Sequence, residues 1–530
     1  MRRRAHSQDF LTMATEFEAP KINPWIIAIA VMLSTFMEVL DTTVVNVSLP
    51  HIAGSMSASV DEATWTLTSY LVANAIILPM TGWLSNYFGR KRMLMTSVTG
   101  FTIASFLCGL APNLPLLVIF RIIQGACGGG LQPISQAVLL ESFPPEDRGK
   151  AMGFWGLGIV VAPMLGPVLG GWLTDSYSWR WVFYINIPVG ILALIMTQLF
   201  IFDPHYIRRT ARSIDYWGMG MLAVGIATLQ IILDKGQELD WFSSNIVTRL
   251  TVISVVALVA FVIYELVVAE PVVDLRAFKE RTYSAGVFLM TVLGFVLYGS
   301  LVILPIFLQT ILGYPALQAG IAMFPRGLGS FIAMPFVGVI MSRFDPRKLL
   351  VIGLIACSLS LVMLGTLNLN VGYWEIFWAQ FLQGLSLGFL FVPLTTVTMD
   401  PIPNEKMGNA TSIFNLMRNI GGSMGIALST TIVARSSQRY TNFLGRNVNP
   451  YSPQTQSMFE GLRSYFMSSG ADAATATHRA YAALFGMVQR QASMLSFNHT
   501  YLFLAVLFIL VMPAVLLMRK PKSRGGMPAH

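Results

Sequence analysis

Fourteen stretches of this chain are apolar and long enough to cross a bilayer, and nothing else in the sequence restricts the fold as much. A helix spans the hydrocarbon core with about 20 apolar residues, and every backbone polar group must be paired inside the segment. The stretches fall near residues 25–48, 64–84, 94–111, 115–139, 151–173, 181–201, 215–233, 249–269, 282–311, 317–341, 349–368, 374–398, 409–434 and 499–518. Hydrophobic residues make up 54% of the chain and charged residues 12%, roughly half the charge of a soluble domain. The expected class is an all-α integral membrane protein. The first stretch, from Trp25, is too long for a signal-peptide core, so it is expected to be retained.

The basic residues orient these spans. With the N-terminus in the cytoplasm, 23 of the 35 Lys and Arg residues fall on cytoplasmic segments. They include Arg90 to Arg92, Arg148, Lys150, Arg208, Arg209, Arg212, Arg347, Lys348 and Lys406. The asymmetry follows the positive-inside pattern and predicts cytoplasmic termini. It also explains the net charge of +9 as topology, which excludes nucleic acid as the partner and leaves membrane lipid. Cys108, Cys127 and Cys357 lie inside apolar segments and offer neither a disulfide framework nor a metal site. Gly128-Gly129-Gly130 lacks the lysine of a phosphate loop, and no cofactor or enzymatic chemistry is expected.

The second half repeats the first at an offset of 259 residues. Gln124, Gly125, Gly129, Pro144, Glu146, Gly149, Ala151 and Gly166 recur as Gln383, Gly384, Gly388, Pro403, Glu405, Gly408, Ala410 and Gly425. The register pairs spans 4–5 with spans 12–13. It predicts two six-helix bundles, 25–201 and 282–518, with a two-span linker at 202–281 and tails at 1–24 and 519–530. Parallel halves with a site between them are a transporter plan. The long segment 435–498 carries apolar faces at Met458, Phe459, Leu462 and Phe466 and at Tyr481, Leu484, Phe485, Val488 and Leu495. A helical hairpin on the outer side is expected there.

Charges inside spans are costly and point to function. Glu38 and Asp41 share one face of span 1, and two carboxylates in a low-dielectric site hold the second proton more tightly. That suits proton coupling. The other reading is an ion pair with Arg121 that only fastens span 1 to span 4. Arg121 falls opposite Gln380 at the repeat offset, so the fold itself does not require a charge there. Arg326, Arg418, Asn46, Gln124 and Gln309 are candidates for a substrate cavity, with interhelical hydrogen bonds as the alternative for the amides.

Leu40 to Pro50, Arg121 to Gly125, residues 158–171, Trp179 to Gly190 and Arg418 to Gly422 together resemble the motifs of the fourteen-span drug:proton antiporters of the EmrB/QacA type, within the major facilitator fold. Leu40 to Pro50 resembles the first-helix motif, Arg121 to Gly125 the fourth-helix motif, and Trp179 to Gly190 the entry into span 6. Arg418 to Gly422 resembles span 13. Residues 158–171, with Gly158, Pro163, Gly166, Pro167, Gly170 and Gly171, resemble the antiporter signature. The two prolines remove backbone donors and imply a bend. Opposite them the second half has Gly422 and Ile426, so the bend belongs to the first half alone. Gly82, Asn86, Gly89 and Arg90 resemble the gating-loop motif between spans 2 and 3, except that Asn86 replaces the usual aspartate. That exchange removes the charge from a latch at residue 86.

The resemblance implies a proton-coupled efflux pump for lipophilic drugs in a bacterial inner membrane, working by alternating access. It also implies a periplasmic membrane-fusion adaptor and an outer-membrane channel as partners. A proton-coupled uptake permease on the same fold and a non-transporting sensor or scaffold are the rival readings. Two acids suit cationic substrates and Arg121 and Arg326 suit anions, so charge does not name the substrate.

Overall fold

Helix starts follow the local chemistry of the chain. Asn23 accepts from the Trp25 amide, Asn113 from Leu116 and Asp345 from Arg347, each ahead of a proline in the first turn. A computed structural model describes residues 23–203, 215–341, 343–449 and 451–519. Most of both expected tails, and the loop with Arg208, Arg209 and Arg212, lie outside the described residues.

The membrane helices are α1 (Pro24–Ser55), α2 (Trp65–Phe88), α3 (Arg90–Leu110), α4 (Leu114–Ser142), α5 (Arg148–Ser176) and α6 (Trp181–Phe200). Two further helices follow, α7 (Tyr216–Lys235) and α8 (Asn245–Val267). The second set is α9 (Arg281–Ile306), α10 (Ala316–Ile340), α11 (Pro346–Gly365), α12 (Tyr373–Met399), α13 (Met407–Gly445) and, after α14 (Pro453–Ser468), α15 (Ala473–Val511).

Among the described residues, 13 helices are long and apolar enough to cross a membrane, rather than the fourteen expected. The difference is α13, which contains the expected span 409–434. It is long enough at 39 residues, but Asn409, Thr411, Ser412, Asn415 and Arg418 make it too polar. All five are buried against other helices, so lipid does not meet them. At the other extreme, only 17% of the apolar window of α8 is buried, against 72% for α12, which places α8 at the periphery.

The repeat in sequence is a repeat in packing. In the first set α1 packs on α5 and α6, and α4 on α2 and α3. In the second set α9 packs on α13 and α15, and α12 on α10 and α11. The repeated glycines make these contacts possible. A side chain at Gly125 would strike the Tyr70 carbonyl of α2, and one at Gly384 the Arg326 carbonyl of α10.

The two sets meet through α2 on α13 and α5 on α10. A Cβ on Gly82 would lie 2.6 Å from the Asn409 Cα, and one on Gly338 2.9 Å from the Gly149 carbonyl. On the α5–α10 side, the side chains of Met334, Met341 and Met164 fill the space beside Gly156, Gly149 and Gly327. The α2–α13 side has an additional helix. α7 packs on both, with Gln230 and Ser423 bonded at 2.9 Å, Asp234 accepting from Thr68, and Lys235 donating to Thr64 at 2.5 Å.

The loops expected in the cytoplasm converge at one end. Lys406 pairs with Asp274 at 2.9 Å, Arg148 donates to Asn404 at 3.3 Å, and Arg90 lies against Gly408. Beyond the opposite end, α14 and the first turns of α15 form the expected hairpin. Phe459 packs on Tyr481 at 4.5 Å, and Arg490 donates to the Ile311 carbonyl at 3.2 Å.

Gly384→Leu is expected to separate α12 from α10, at a cost of about 1–3 kcal/mol or more. Size-exclusion profiles of the detergent-solubilised variant should lose the monodisperse peak, whereas the exposed Gly461→Leu should keep it.

Candidate functional site

Asp41 stands in the middle of α1, fully buried. An ionised carboxylate there must find donors on neighbouring helices. Arg121 on α4 donates to Oδ2 at 2.6 Å, Gln124 on α4 to Oδ1 at 3.0 Å, and Asn186 on α6 to Oδ1 at 2.8 Å. Arg121 is itself fully buried and also donates to the Thr66 carbonyl at 2.9 Å and to Gln124 Oε1 at 2.9 Å. The Tyr70 ring lies 4.2 Å from the guanidinium carbon, adding a cation–π contact. Asn186 is held in turn by Ser105, through a 3.0 Å bond to the hydroxyl.

The second set contains the same arrangement without its charges. At the repeat offset Asp41, Arg121 and Gln124 become Ser300, Gln380 and Gln383. Gln383 donates to the Ser300 hydroxyl at 3.2 Å, as Gln124 does to Asp41, and Gln380 donates to Gln383 at 3.3 Å, as Arg121 does to Gln124. The bonds are conserved between halves, while the acid and the base occur in one half only.

Glu38, one turn before Asp41, enters a different cluster. Asn74 on α2 donates to its Oε1 at 3.0 Å, and Gln132 on α4 also approaches it. Gln132 accepts from Arg418 on α13, across the boundary between the two sets. The shared face of α1 therefore serves two sites. Asp41 looks into its own bundle, and Glu38 looks toward the other.

The remaining candidates are dispersed. Arg326 is buried in the second set beside Cys357 and Tyr501, with one long bond of 3.4 Å to the Leu297 carbonyl. Asn46 and Gln309 are exposed, Gln309 on the π-helical turn Phe307–Ile311 that ends α9. In the signature on α5, Gly158, Gly166 and Gly170 face Met32, Thr43 and Val44 of α1, and Gly171 faces open space. α5 runs as one helix through Pro163 and Pro167.

The loop after α2 does carry a charge pair, although not at residue 86. Arg90 and Glu141 are 2.5 Å apart and buried, beside Gly408 at the start of α13. Gly89 has φ +90, and Asp203 fills the space where its side chain would be, accepting from the Lys91 amide at 2.8 Å. Among the described residues, the Asn86 side chain makes no hydrogen bond. No group of three or more His, Cys, Asp or Glu side chains there is placed to hold a metal ion.

Sequence reasoning did not single out Asn186 or Gln132. Asn186 is an amide near the start of an apolar span, and Gln132 follows the glycine run 128–130. Each was visible as a polar residue without an exposed face to occupy.

The family model described as Major Facilitator Superfamily matches residues 31–426. The chain belongs to this superfamily. Among its relatives is the multidrug export protein EmrB of Haemophilus influenzae, 40% identical over 445 residues, covering 84% of this chain and 87% of that one. EmrB of Escherichia coli K12 is 36% identical over 502 residues, covering 94% and 96%. The fatty acid resistance protein FarB of Neisseria gonorrhoeae is 35% identical over 502 residues, covering 94% and 97%. The human organic anion transporter MFSD10 shares the fold, with a TM-score of 0.58 at 12% identity, covering 92% of this chain and 100% of that one. This chain is thus a multi-span membrane transporter rather than an enzyme.

Arg121→Met leaves Asp41 buried with amide donors alone, and a destabilisation of about 3–5 kcal/mol is expected. Adding Asp41→Asn should recover most of it. Thermal unfolding of the two single variants and the double variant in detergent measures the coupling.

Proposed function

We propose that the protein exports lipophilic toxic compounds in exchange for protons. The single observation that carries this is the Asp41–Arg121 pair, charged in one half and replaced by Ser300 and Gln380 in the other. A pair needed only for packing would serve both halves equally. Asp41 takes up a proton from outside, and its bonds to Arg121, Gln124 and Asn186 rearrange as it does so. The EmrB relatives, multidrug export proteins, and FarB, a fatty acid resistance protein, support export of lipophilic compounds.

In this reading the basic-loop end faces the cytoplasm, both termini lie there, and the membrane is the bacterial inner membrane. The bundles 25–201 and 282–518 rock against each other, and protonation changes the relative stability of the two conformations. Asn46 and Gln309, polar and exposed, meet substrate on its way out. Arg326 lines the route in the second bundle. The hairpin within 435–498, with Met458, Tyr481 and Phe485 exposed, receives a periplasmic adaptor of a tripartite pump.

Proteoliposomes with an acid-loaded lumen test the exchange. Adding drug outside should release protons from the lumen, and Asp41→Asn should abolish the release at unchanged protein level. Movement of drug and protons in the same direction would establish the uptake permease instead. Normal drug tolerance in cells expressing Asp41→Asn would remove Asp41 from the mechanism.

A further inference from the structure

Two seams join the bundles near the basic-loop end, and the repeat relates them. One is α4 on α13, the other α12 on α5. The α12–α5 seam is apolar. Trp155 stacks on Phe391 at 6.1 Å, and Gly156 lies against Met334 and the Phe391 ring. The α4–α13 seam is polar. Thr411 donates to the Pro133 carbonyl at 3.1 Å, Asn415 to Gln136 Oε1 at 2.6 Å, and Arg418 to Gln132 Oε1. At the repeat offset Gln132 corresponds to Phe391, and Arg418 to Ile159. A charge was therefore placed on one of two otherwise equivalent seams.

Behind that seam is Glu38, 5% exposed, and Gln132 stands between it and Arg418. Neither charged group is saturated among the described residues. Glu38 Oε2 and Arg418 Nε have no hydrogen-bond partner. The other ionisable groups facing Glu38 are Asp41 on α1 and Tyr70 on α2. The neighbouring helices α5 and α6 carry no charged side chain over 151–174 and 181–200. Arg418 is thus the charge that the other bundle presents to Glu38.

We infer that Glu38, Gln132 and Arg418 form a proton-operated latch on the basic-loop end of the transporter. Ionised Glu38 attracts Arg418 through Gln132 and holds the α4–α13 seam shut. Protonation removes one charge of the pair, leaving the neutral bonds of Thr411 and Asn415, and the seam can part. This deepens the proton-exchange reading and depends on it for the direction of work. A proton loaded from outside permits opening toward the cytoplasm, and its release there restores the latch. Arg418 is then a positioning residue of the gate, not a lining residue of the drug site.

The test places spin labels at Glu146→Cys and Glu405→Cys, exposed and repeat-related positions on the loops entering α5 and α13, with the three native cysteines replaced by serine. Distances are recorded by pulsed electron resonance in lipid nanodiscs without drug, at about pH 8 and about pH 5, which brackets a buried carboxylate. Asp41→Asn is included throughout, so that its titration cannot contribute. The distribution should shift to longer distances at low pH. Glu38→Gln should give the long distance at both pH values, as should Arg418→Met. Gln132→Met, which keeps both charges but breaks the bridge, should also lose the pH response, and Arg418→Lys should restore it. A pH response in Arg418→Met equal to that of the parent, or a short distance in Glu38→Gln at high pH, overturns the latch. Proton flux in the proteoliposomes of the unlabelled protein is read separately. Antiport with an unresponsive seam removes the latch and keeps the export reading, and a responsive seam without antiport does the reverse.

Discussion

A charge buried among membrane helices must be met by partners from those same helices, since no water is present to replace them. In this protein that requirement organises the first bundle. Asp41 draws donors from α4 and α6, and Arg121 reaches back to the backbone of α2. Four helices are thereby fixed around two atoms of one carboxylate. Changing the charge of Asp41 would alter the balance of all these bonds together, which in the proposed exchange lets a single proton act on a whole bundle.

The second bundle shows that the scaffold does not need the charges. Ser300, Gln380 and Gln383 make equivalent bonds from equivalent positions. Duplication supplied the same scaffold twice, and divergence left ionisation in one copy. The seams diverged in the same way. Phe391 stands where the other side has Gln132, and one seam is held by apolar contact while the other is held by hydrogen bonds.

Much of this was legible in the sequence, for physical reasons. Apolar length gives the spans, because the bilayer fixes it. The repeat of Gln, Gly and Pro gave the pairing of helices, because Gly125 and Gly384 must admit a neighbouring backbone. Arg121 could be placed near Asp41 because few other groups can neutralise it. Three things were hidden. The stretch 409–434 reads as one more apolar span, whereas α13 carries a polar face covered by protein rather than lipid. The separation of Glu38 from Asp41 depends on which neighbours stand at either side of α1, and helical spacing alone put them together. Glu141 took up the loop charge that Asn86 lacks, from a helix distant in sequence.

The inserted helix α7 makes the molecule lopsided. It bonds to α2 through Thr64 and Thr68 and to α13 through Ser423, while the opposite boundary has methionines resting in glycine notches. Thioether side chains slide over a backbone with little change in energy, whereas each hydrogen bond is directional and is lost within a fraction of an ångström. Relative motion of the bundles therefore meets friction on one flank and a lubricated surface on the other. The two flanks resist displacement unequally, and the one that carries α7 has bonds that must break before it shifts.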